Sequence, residues 1–132
     1  MVELTEKARR FLSEPNFAAL ATVGRDGSPQ VSAMWVHVDG DNVVMNTALG
    51  RYKERNLRRD PRLAITVTDR ENPYDKVTIR GRVVEFIEGD RAENDIDMLS
   101  RKYTGQFPYP WRAPGERRVT MLIEPVGLSE ER

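Results

Sequence analysis

The sequence predicts a mainly β (α+β) domain, a small barrel or curled sheet of about six antiparallel strands with a few flanking helices. Two observations support this fold class. Short apolar runs of strand length recur along the 132 residues, and turns rich in glycine, proline and aspartate separate them. Helical spacing of apolar residues is confined to a few segments. A barrel would also leave no sheet edge exposed.

The first element is predicted to be an amphipathic helix that ends near Pro15. Its apolar residues follow the i, i+4, i+7 and i+8 spacing of one helix face: Leu4, Ala8, Phe11 and Leu12. Three strands follow, over residues 17–23, 30–38 and 43–47. The turn between the first two contains Asp26-Gly27, which supplies the positive φ of a hairpin turn.

Two further strands are predicted after Pro61, over residues 63–68 and 74–87. The second is the longest, and its apolar positions alternate with polar ones, so one face is expected to be buried. The alternation changes parity at Val83-Val84, which indicates a β-bulge.

The last helix and strand complete the predicted order. Asp90 is expected to cap a helix. The apolar face of this helix is formed by Ala92, Ile96, Leu99 and Tyr103. An irregular loop over residues 105–115 leads to a last strand from Arg118 to Glu124, where Pro125 is expected to end it.

Composition limits the functions that the chain can have. Its length suits one domain over residues 1–132. The absence of cysteine excludes disulfides, zinc-thiolate sites and thiol nucleophiles. A formal net charge of +0 argues against a general nucleic-acid binder. No apolar run approaches the roughly 20 residues that span a bilayer, and the N-terminus lacks signal-peptide features. No membrane partner and a cytoplasmic location are therefore expected.

The most uneven charge lies in residues 51–62. This segment has six basic and two acidic residues, a net charge of +4 in a chain that is neutral overall. Two interpretations are open, a solvated helix face and an anion site. Gly50 just before the segment favours the second, because a short helix that begins after a glycine presents unpaired N–H groups and the positive end of its dipole. Leu57 is expected to anchor this helix in the core.

Few residues offer conventional catalytic chemistry. His37 is the only histidine, and a strand histidine near a turn is more often structural than catalytic. No nucleophile elbow and no G-x-G-x-x-G or P-loop pattern is present. Six carboxylates cluster around the predicted start of the last helix, where acids favour the helix dipole: Glu85, Glu88, Asp90, Glu93, Asp95 and Asp97. Hydride transfer from a phosphate-bearing organic cofactor fits this inventory, because it needs positioning and little protein chemistry.

The loop before the last strand is aromatic. Phe107, Tyr109 and Trp111 alternate with prolines, so in an extended chain the three rings would share one side. One interpretation is a flap over apolar surface or a dimer seam. The other is an aromatic wall against a planar ring system.

The chain resembles the split β-barrel flavin and deazaflavin oxidoreductases related to pyridoxamine phosphate oxidase. The resemblance covers most of the chain and is closest to the branch that uses the 5-deazaflavin coenzyme F420. Its most specific motif runs from Arg51 to Arg62, RYKERNLRRDPR. Weaker features are Ala21-Thr22 before Gly27-Ser28-Pro29, then Gln30-Val31-Ser32, and Arg80-Gly81 in the long strand.

The resemblance implies a split barrel that forms a homodimer with two cofactor grooves between protomers. It assigns Arg51 and Lys53 to the coenzyme phosphate, with Arg55 and Asn56 beside them. It assigns the deazaflavin ring to residues of two strands, Gln30, Val31, Ser32, Asn46 and Thr47. Arg80 and the Trp111 loop would contribute from the partner chain. The implied reaction is hydride transfer from F420H2 to an electron-poor or unsaturated small organic substrate.

Three alternatives remain open at this stage. The same barrel could use FMN, or it could bind F420 or a flavin as a non-catalytic carrier. Nucleic-acid binding through residues 51–62 is a further hypothesis, although aromatic platforms for single strands are not interleaved there. The physiological substrate, the redox direction and the proton donor are not indicated; His37, Tyr52, Tyr109 and solvent are the candidates for the donor.

Overall fold

The computed structural model describes residues 1–131 and contains three helices and seven strands. The helices are α1 (Glu6–Ser13), α2 (Tyr52–Arg59) and α3 (Asp90–Thr104). The strands are β1 (Ala18–Val23), β2 (Pro29–Met34), β3 (His37–Asp39), β4 (Asn42–Ala48), β5 (Arg62–Thr68), β6 (Lys76–Ile87) and β7 (Arg118–Glu131). None of the helices within residues 1–131 is long and apolar enough to cross a bilayer.

All seven strands belong to one antiparallel sheet with the order β2-β1-β5-β6-β7-β4-β3. β2 and β3 are the two edges, yet only Trp35 and Val36 separate them in the chain. Two linking residues span at most roughly 11 Å between the strand ends. The sheet therefore curls until its edges approach each other without pairing, which makes it a split β-barrel. The prediction of a mainly β fold is confirmed, but the ring is not closed.

The structure has seven strands where the sequence predicted about six, because the predicted strand over residues 30–38 is two strands. At the break, side chains of α3 take over the hydrogen bonds of Val36. The Val36 N–H donates to the Tyr103 hydroxyl (3.1 Å), and the Lys102 ammonium donates to the Val36 carbonyl (2.6 Å). With its polar groups satisfied in this way, Val36 is fully buried and the chain crosses from one sheet edge to the other.

The last strand does not end at Pro125, contrary to the prediction. Pro125 pairs with Gly81 while Gly127 pairs with Arg80, so Val126 is an extra residue opposite β6. A β-bulge tolerates a residue without an N–H donor, which explains why the strand continues through the proline. The bulge predicted near Val83-Val84 is confirmed by a second register shift between Val83 and Glu85.

The N-terminus of α3 also differs from the prediction by one residue. Gly89, not Asp90, is the N-cap, and its φ of 78° favours glycine. Asp90 is the first helical residue and lies in the first turn, where a carboxylate favours the helix dipole. α1 begins as a capped helix, since the Thr5 hydroxyl accepts from the Ala8 N–H at 3.0 Å.

The core lies between the curled sheet and the apolar face of α1. Ala8, Phe11 and Leu12 of that face are fully buried, as predicted. Leu57 is also fully buried in the core cluster, so it anchors α2 against the sheet as the sequence indicated. This anchoring fixes the N-terminus of α2 beside the end of β4.

Candidate functional site

A cavity of about 200 Å³ opens where β4 ends and α2 begins, and we call it the α2 cavity. Part of its lining is polar and cationic: Asn46, Thr47, Arg51, Lys53 and Arg118. The rest is aromatic and apolar: Phe17, Ala33, Met34, Trp35, Ile96, Leu99 and Tyr109. A pocket lined by both cations and rings suits a ligand that joins an anion to an apolar or planar group.

The turn between β4 and α2 brings Arg51 to this cavity. Gly50 has φ 91°, a conformation that favours glycine, and it reverses the chain before Arg51. Arg51 is the N-cap of α2 and provides no side-chain cap. The Glu54 carboxylate instead accepts from the Gly50 N–H (2.8 Å). The first-turn N–H groups of α2 have no partner within the helix, and Arg51 and Lys53 at this end of the helix line the cavity.

The cationic part of the lining carries more positive than negative charge. Glu116 pairs with Arg118 (2.9 Å) and lies 3.5 Å from Arg51. Lys53 makes no ion pair with any residue in the described part of the chain. Three cations and one carboxylate leave a net charge of +2. Burial, and then the repulsion of Arg51 and Arg118, lower the pKa of Lys53, as expected where a counter-ion is missing.

Thr47 contributes a buried hydroxyl without a partner. Its Oγ1 forms no hydrogen bond with any atom of residues 1–131, although the residue is only 1% exposed. A buried polar atom in this state costs about 1–3 kcal/mol, which a bound acceptor would recover. Thr47 also lines the α2 cavity, so this hydroxyl is a candidate contact for a ligand there.

Asn46, by contrast, is fully engaged within the protein. Its Nδ2 donates to the Ala92 carbonyl (2.9 Å) and the Thr120 hydroxyl (3.1 Å), and its Oδ1 accepts from Arg118 Nε (2.9 Å). Asn46 thus holds the buried Arg118 guanidinium in place and has little capacity left for a ligand. Sequence reasoning missed Arg118, because no local signal separates it from Arg117 beside it.

A second depression lies along the opposite face of α2, and we call it the turn groove. Its volume is about 550 Å³, and it is formed by the β1–β2 turn and by one helix stripe: Tyr52, Arg55, Asn56 and Arg59. The Asn56 amide donates to the Gln30 Oε1 (2.9 Å) and to the Thr22 hydroxyl (3.1 Å). These bonds tie α2 to the β1–β2 hairpin. Arg25 at the turn adds a cation to the groove.

The structure therefore divides the residues predicted for the site. Asn46, Thr47, Arg51 and Lys53 lie together in the α2 cavity. A second set lies in the turn groove: Gln30, Arg55 and Asn56. Val31 and Ser32 follow Gln30 on the edge strand β2, and Val31 is 67% exposed. Their assignment to a ring-binding surface stays a prediction.

Arg80 is not brought to either cavity within one chain. It lies on β6 and its guanidinium lies where a side chain of Gly127 would stand. The absence of a side chain at Gly127 makes room for this arrangement. The expectation that Arg80 reaches a site from a partner chain stays a prediction.

Five aromatic rings form a continuous series, and three of them line the α2 cavity: Phe17, Trp35 and Tyr109. Successive ring centroids are 5.5 Å apart for Phe17–Tyr103, 5.4 Å for Tyr103–Trp35, 6.1 Å for Trp35–Tyr109 and 5.8 Å for Tyr109–Trp111. These spacings are within the favourable range for aromatic pairs. Trp35 was missed as a site residue because it lay inside a predicted strand.

Phe107 does not join this series, contrary to the prediction that three rings of the loop share one side. Its ring packs against the Arg101 guanidinium of α3 at 4.1 Å. The loop is a succession of bends and turns and not an extended segment, so alternate residues need not face the same way.

His37 and the clustered carboxylates lie outside the α2 cavity lining. The Nδ1 atom of His37 is 3.2 Å from Lys102 Nζ, and burial, then Lys102, lower the pKa of His37. Glu93 and Asp97 hold Arg112 (both 3.0 Å) instead of forming an acid–base pair. Within residues 1–131 no group of histidine and acidic side chains is arranged to hold a metal ion.

Comparison with known proteins places this site in a family context. The model of the pyridoxamine 5'-phosphate oxidase family matches residues 4–127. A solved structure described as an F420 reductase is 33% identical, with a TM-score of 0.82 over 95% of this chain and 98% of that one. A conserved hypothetical protein from Mycobacterium tuberculosis is 26% identical, with a TM-score of 0.72 over 99% of this chain and 84% of that one.

A more distant structure shares the fold. A putative pyridoxamine 5'-phosphate oxidase from Listeria innocua is 19% identical, with a TM-score of 0.71 over 97% of this chain and 98% of that one. The family match spans nearly the whole chain, and the curled seven-stranded sheet agrees with it. The chain therefore belongs to the pyridoxamine 5'-phosphate oxidase family, an oxidoreductase-type family of split β-barrels.

Proposed function

We propose that the protein is an F420H2-dependent reductase that transfers a hydride from the reduced deazaflavin to an electron-poor or unsaturated small organic molecule. The observation that carries the proposal is the α2 cavity, which is lined by aromatic rings and by cations that, with Glu116, have a net charge of +2. The F420 reductase that is 33% identical over nearly all of both chains supports the choice of cofactor.

The residues of the cavity fit the phosphodiester of such a cofactor. Arg51 and Lys53 supply charge, the first turn of α2 supplies N–H donors, and Thr47 supplies a hydroxyl. Hydrogen bonds to a charged acceptor are stronger than neutral ones, and exclusion of water strengthens them further. A bound anion would also relieve the repulsion that lowers the Lys53 pKa.

When bound, the reduced deazaflavin supplies the hydride. The chain's own residues bind the cofactor, orient it and shield it from water. Asn46 and Glu116 fix Arg118 at the cavity, the series of rings that contains Trp35 and Tyr109 forms an apolar wall, and the anchored α2 keeps the anion site rigid. Such positioning is worth several powers of ten in rate without an acid, a base or a nucleophile.

The size of the cavity supports a homodimer. A volume of about 200 Å³ is below the roughly 300–1,000 Å³ typical of cofactor-sized pockets, so one chain encloses the anion and only part of a ring. Four large apolar side chains are exposed and could be buried in such an interface: Phe17, Val31, Tyr52 and Trp111. We infer that a second copy completes the groove and that its Arg80 faces the cofactor.

FMN is the second candidate, because the family match is to pyridoxamine 5'-phosphate oxidase. The turn groove favours F420. F420 continues beyond its phosphodiester into an acidic glutamate tail, whereas FMN ends at its phosphate. Arg25, Arg55 and Arg59 line the turn groove against one acid, Asp26, which suits a polyanionic tail.

Side-by-side titration with F420 and FMN, read by fluorescence, tests the proposal. We expect F420 to bind more tightly than FMN, and F420H2 to be oxidised in the presence of a panel of electron-poor acceptors. Tighter binding of FMN would move the assignment to the flavin. Binding of F420 without turnover over the whole panel would support a non-catalytic carrier.

A further inference from the structure

The aromatic loop, residues 105–117, is fastened to α3 near both of its ends. The Tyr109 N–H donates to Asp97 Oδ1 (2.8 Å) in the first part of the loop. Just beyond the loop, the Arg118 N–H donates to Glu93 Oε2 (3.0 Å). Two carboxylates one helical turn apart therefore fix where the loop leaves α3 and where it joins β7.

Arg112 binds both of these carboxylates and the loop itself. Its Nε donates to Glu93 Oε1 (3.0 Å) and its Nη2 pairs with Asp97 Oδ1 (3.0 Å). Its other contacts are with backbone carbonyls, Nη2 to Glu93 (3.1 Å) and Nη1 to Tyr109 (3.2 Å). A guanidinium shared between two carboxylates and two carbonyls has little freedom to move.

The result is a fixed orientation for two rings. Tyr109 is held by its N–H and its carbonyl, so its ring stands edge-on to Trp35 and 5.4 Å from the Arg118 guanidinium. Trp111 packs edge-on against Tyr109 and is 55% exposed. The indole therefore extends the cavity-lining ring of Tyr109 outward on a rigid support.

We propose that Arg112 is a positioning residue that holds Tyr109 and Trp111 as one wall for a planar conjugated ring bound at the α2 cavity. The inference rests on the proposed function, since it requires a ligand that joins a ring to an anion. The ring belongs to the cofactor or to the hydride acceptor, and the arms of the experiment separate these sources.

The rival explanation is that Arg112 only stabilises the fold. Inorganic phosphate separates the two, because it carries the charge that the cationic side chains of the cavity would bind and has no ring. A general loss of structure would weaken phosphate and cofactor together. A displaced wall would weaken only the ligands that carry a ring.

The experiment compares Arg112→Gln and Arg112→Lys with the wild type and with Arg117→Gln as a matched control. Arg117 is an exposed arginine of the same loop whose contact is with Glu88 at 3.5 Å. Acrylamide quenching of ligand-free protein reports the loop directly, because the two tryptophans of the chain, Trp35 and Trp111, both belong to the ring series. Binding of phosphate, F420 and FMN and the KM for an acceptor are then measured.

We expect Arg112→Gln to increase quenching and leave phosphate affinity unchanged. A ring on the wall is worth about a three- to tenfold change in binding. A rise of this size in the F420 or FMN Kd assigns the wall to the cofactor. An unchanged Kd with the same rise in acceptor KM at constant kcat assigns it to the acceptor. Arg112→Lys should restore part of the effect, and Arg117→Gln should resemble the wild type.

Unchanged quenching, unchanged ring binding in both arms, or an equal loss of phosphate and ring ligands in Arg112→Gln each overturns the inference while leaving the proposed function intact. Failure of the wild type to bind either cofactor overturns the proposed function and the inference with it.

Discussion

Replacing Thr47 by valine should have opposite effects on stability and on ligand binding. Thr47 and Thr120 are both buried, and they lie on neighbouring strands. The Thr120 hydroxyl bonds with Asn46 (3.1 Å) and Asp95 (2.8 Å), whereas Thr47 Oγ1 has no partner. Thr47→Val removes an unsatisfied hydroxyl and keeps the side-chain shape, so the free energy of unfolding of the ligand-free protein should rise by about 1 kcal/mol.

The matched change Thr120→Val should lower the free energy of unfolding. It leaves the Asn46 amide and the Asp95 carboxylate short of a partner, at a cost of about 1–3 kcal/mol. In a domain of this length, 1 kcal/mol corresponds to about 4 °C in Tm. The two variants should therefore lie on opposite sides of the wild type in thermal and urea unfolding.

Ligand binding supplies the second half of this prediction. A hydrogen bond from a hydroxyl to a charged oxygen contributes about 1.5–3 kcal/mol, so Thr47→Val should weaken F420 roughly 10- to 100-fold in a fluorescence titration. A less stable ligand-free Thr47→Val protein would refute the reasoning, because it would mean that the hydroxyl is already satisfied. An unchanged F420 affinity would remove Thr47 from the site.

Three further predictions concern charge. Burial lowers the pKa of Lys53, so F420 affinity should fall as the pH rises through that lowered pKa. Lys53→Met should abolish this pH dependence and weaken F420 binding by about 1–3 kcal/mol in a fluorescence titration. Arg25→Ala and Arg55→Ala should weaken F420 by about two- to fivefold but leave FMN unchanged, as measured by competition. Lys102→Met removes the ammonium hydrogen bonds to the Leu12 and Val36 carbonyls, so urea unfolding near neutral pH should show a loss of about 1–3 kcal/mol. Burial lowers the pKa of Lys102 to about 8 from 10.5. Between these two pH values Lys102 is protonated in the unfolded chain and mostly deprotonated in the folded one. The free energy of unfolding of the wild type should therefore rise with pH over this range, whereas that of Lys102→Met should not.

The sheet was predictable where local pattern decides it. Alternation and turn residues located all the strand-forming segments and the bulge near Val83-Val84, because these signals lie within the segment that they describe. The break between β2 and β3 was not predictable. It depends on Tyr103 and Lys102, which bind Val36 from more than 60 positions away in the chain, and tertiary contacts of that kind leave no local trace.

The residues of the candidate site were likewise predictable only in part. The charge excess over residues 51–62 indicated an anion site, and the family resemblance placed Arg51 and Lys53 in it; both line the α2 cavity. Arg118 was not predicted as a site residue. Its position depends on burial beside Asn46 and Glu116, and this burial arises only when β4 pairs with β7. The free state of the Thr47 hydroxyl is likewise a property of its surroundings, so no sequence pattern could indicate it.

The short link between the two sheet edges has a consequence for the folding rate. Only Trp35 and Val36 link the edge strands β2 and β3, and we call this junction the seam of the barrel. Bringing the two edges together there closes a very short loop, so the entropic cost is small. The distant pairings are elsewhere, at Leu20 with Ile65 and at Asn46 with Thr120. We expect these pairings to limit folding, so conservative substitutions at β4–β7 should slow refolding in stopped-flow measurements. Substitutions at the seam should mainly speed unfolding.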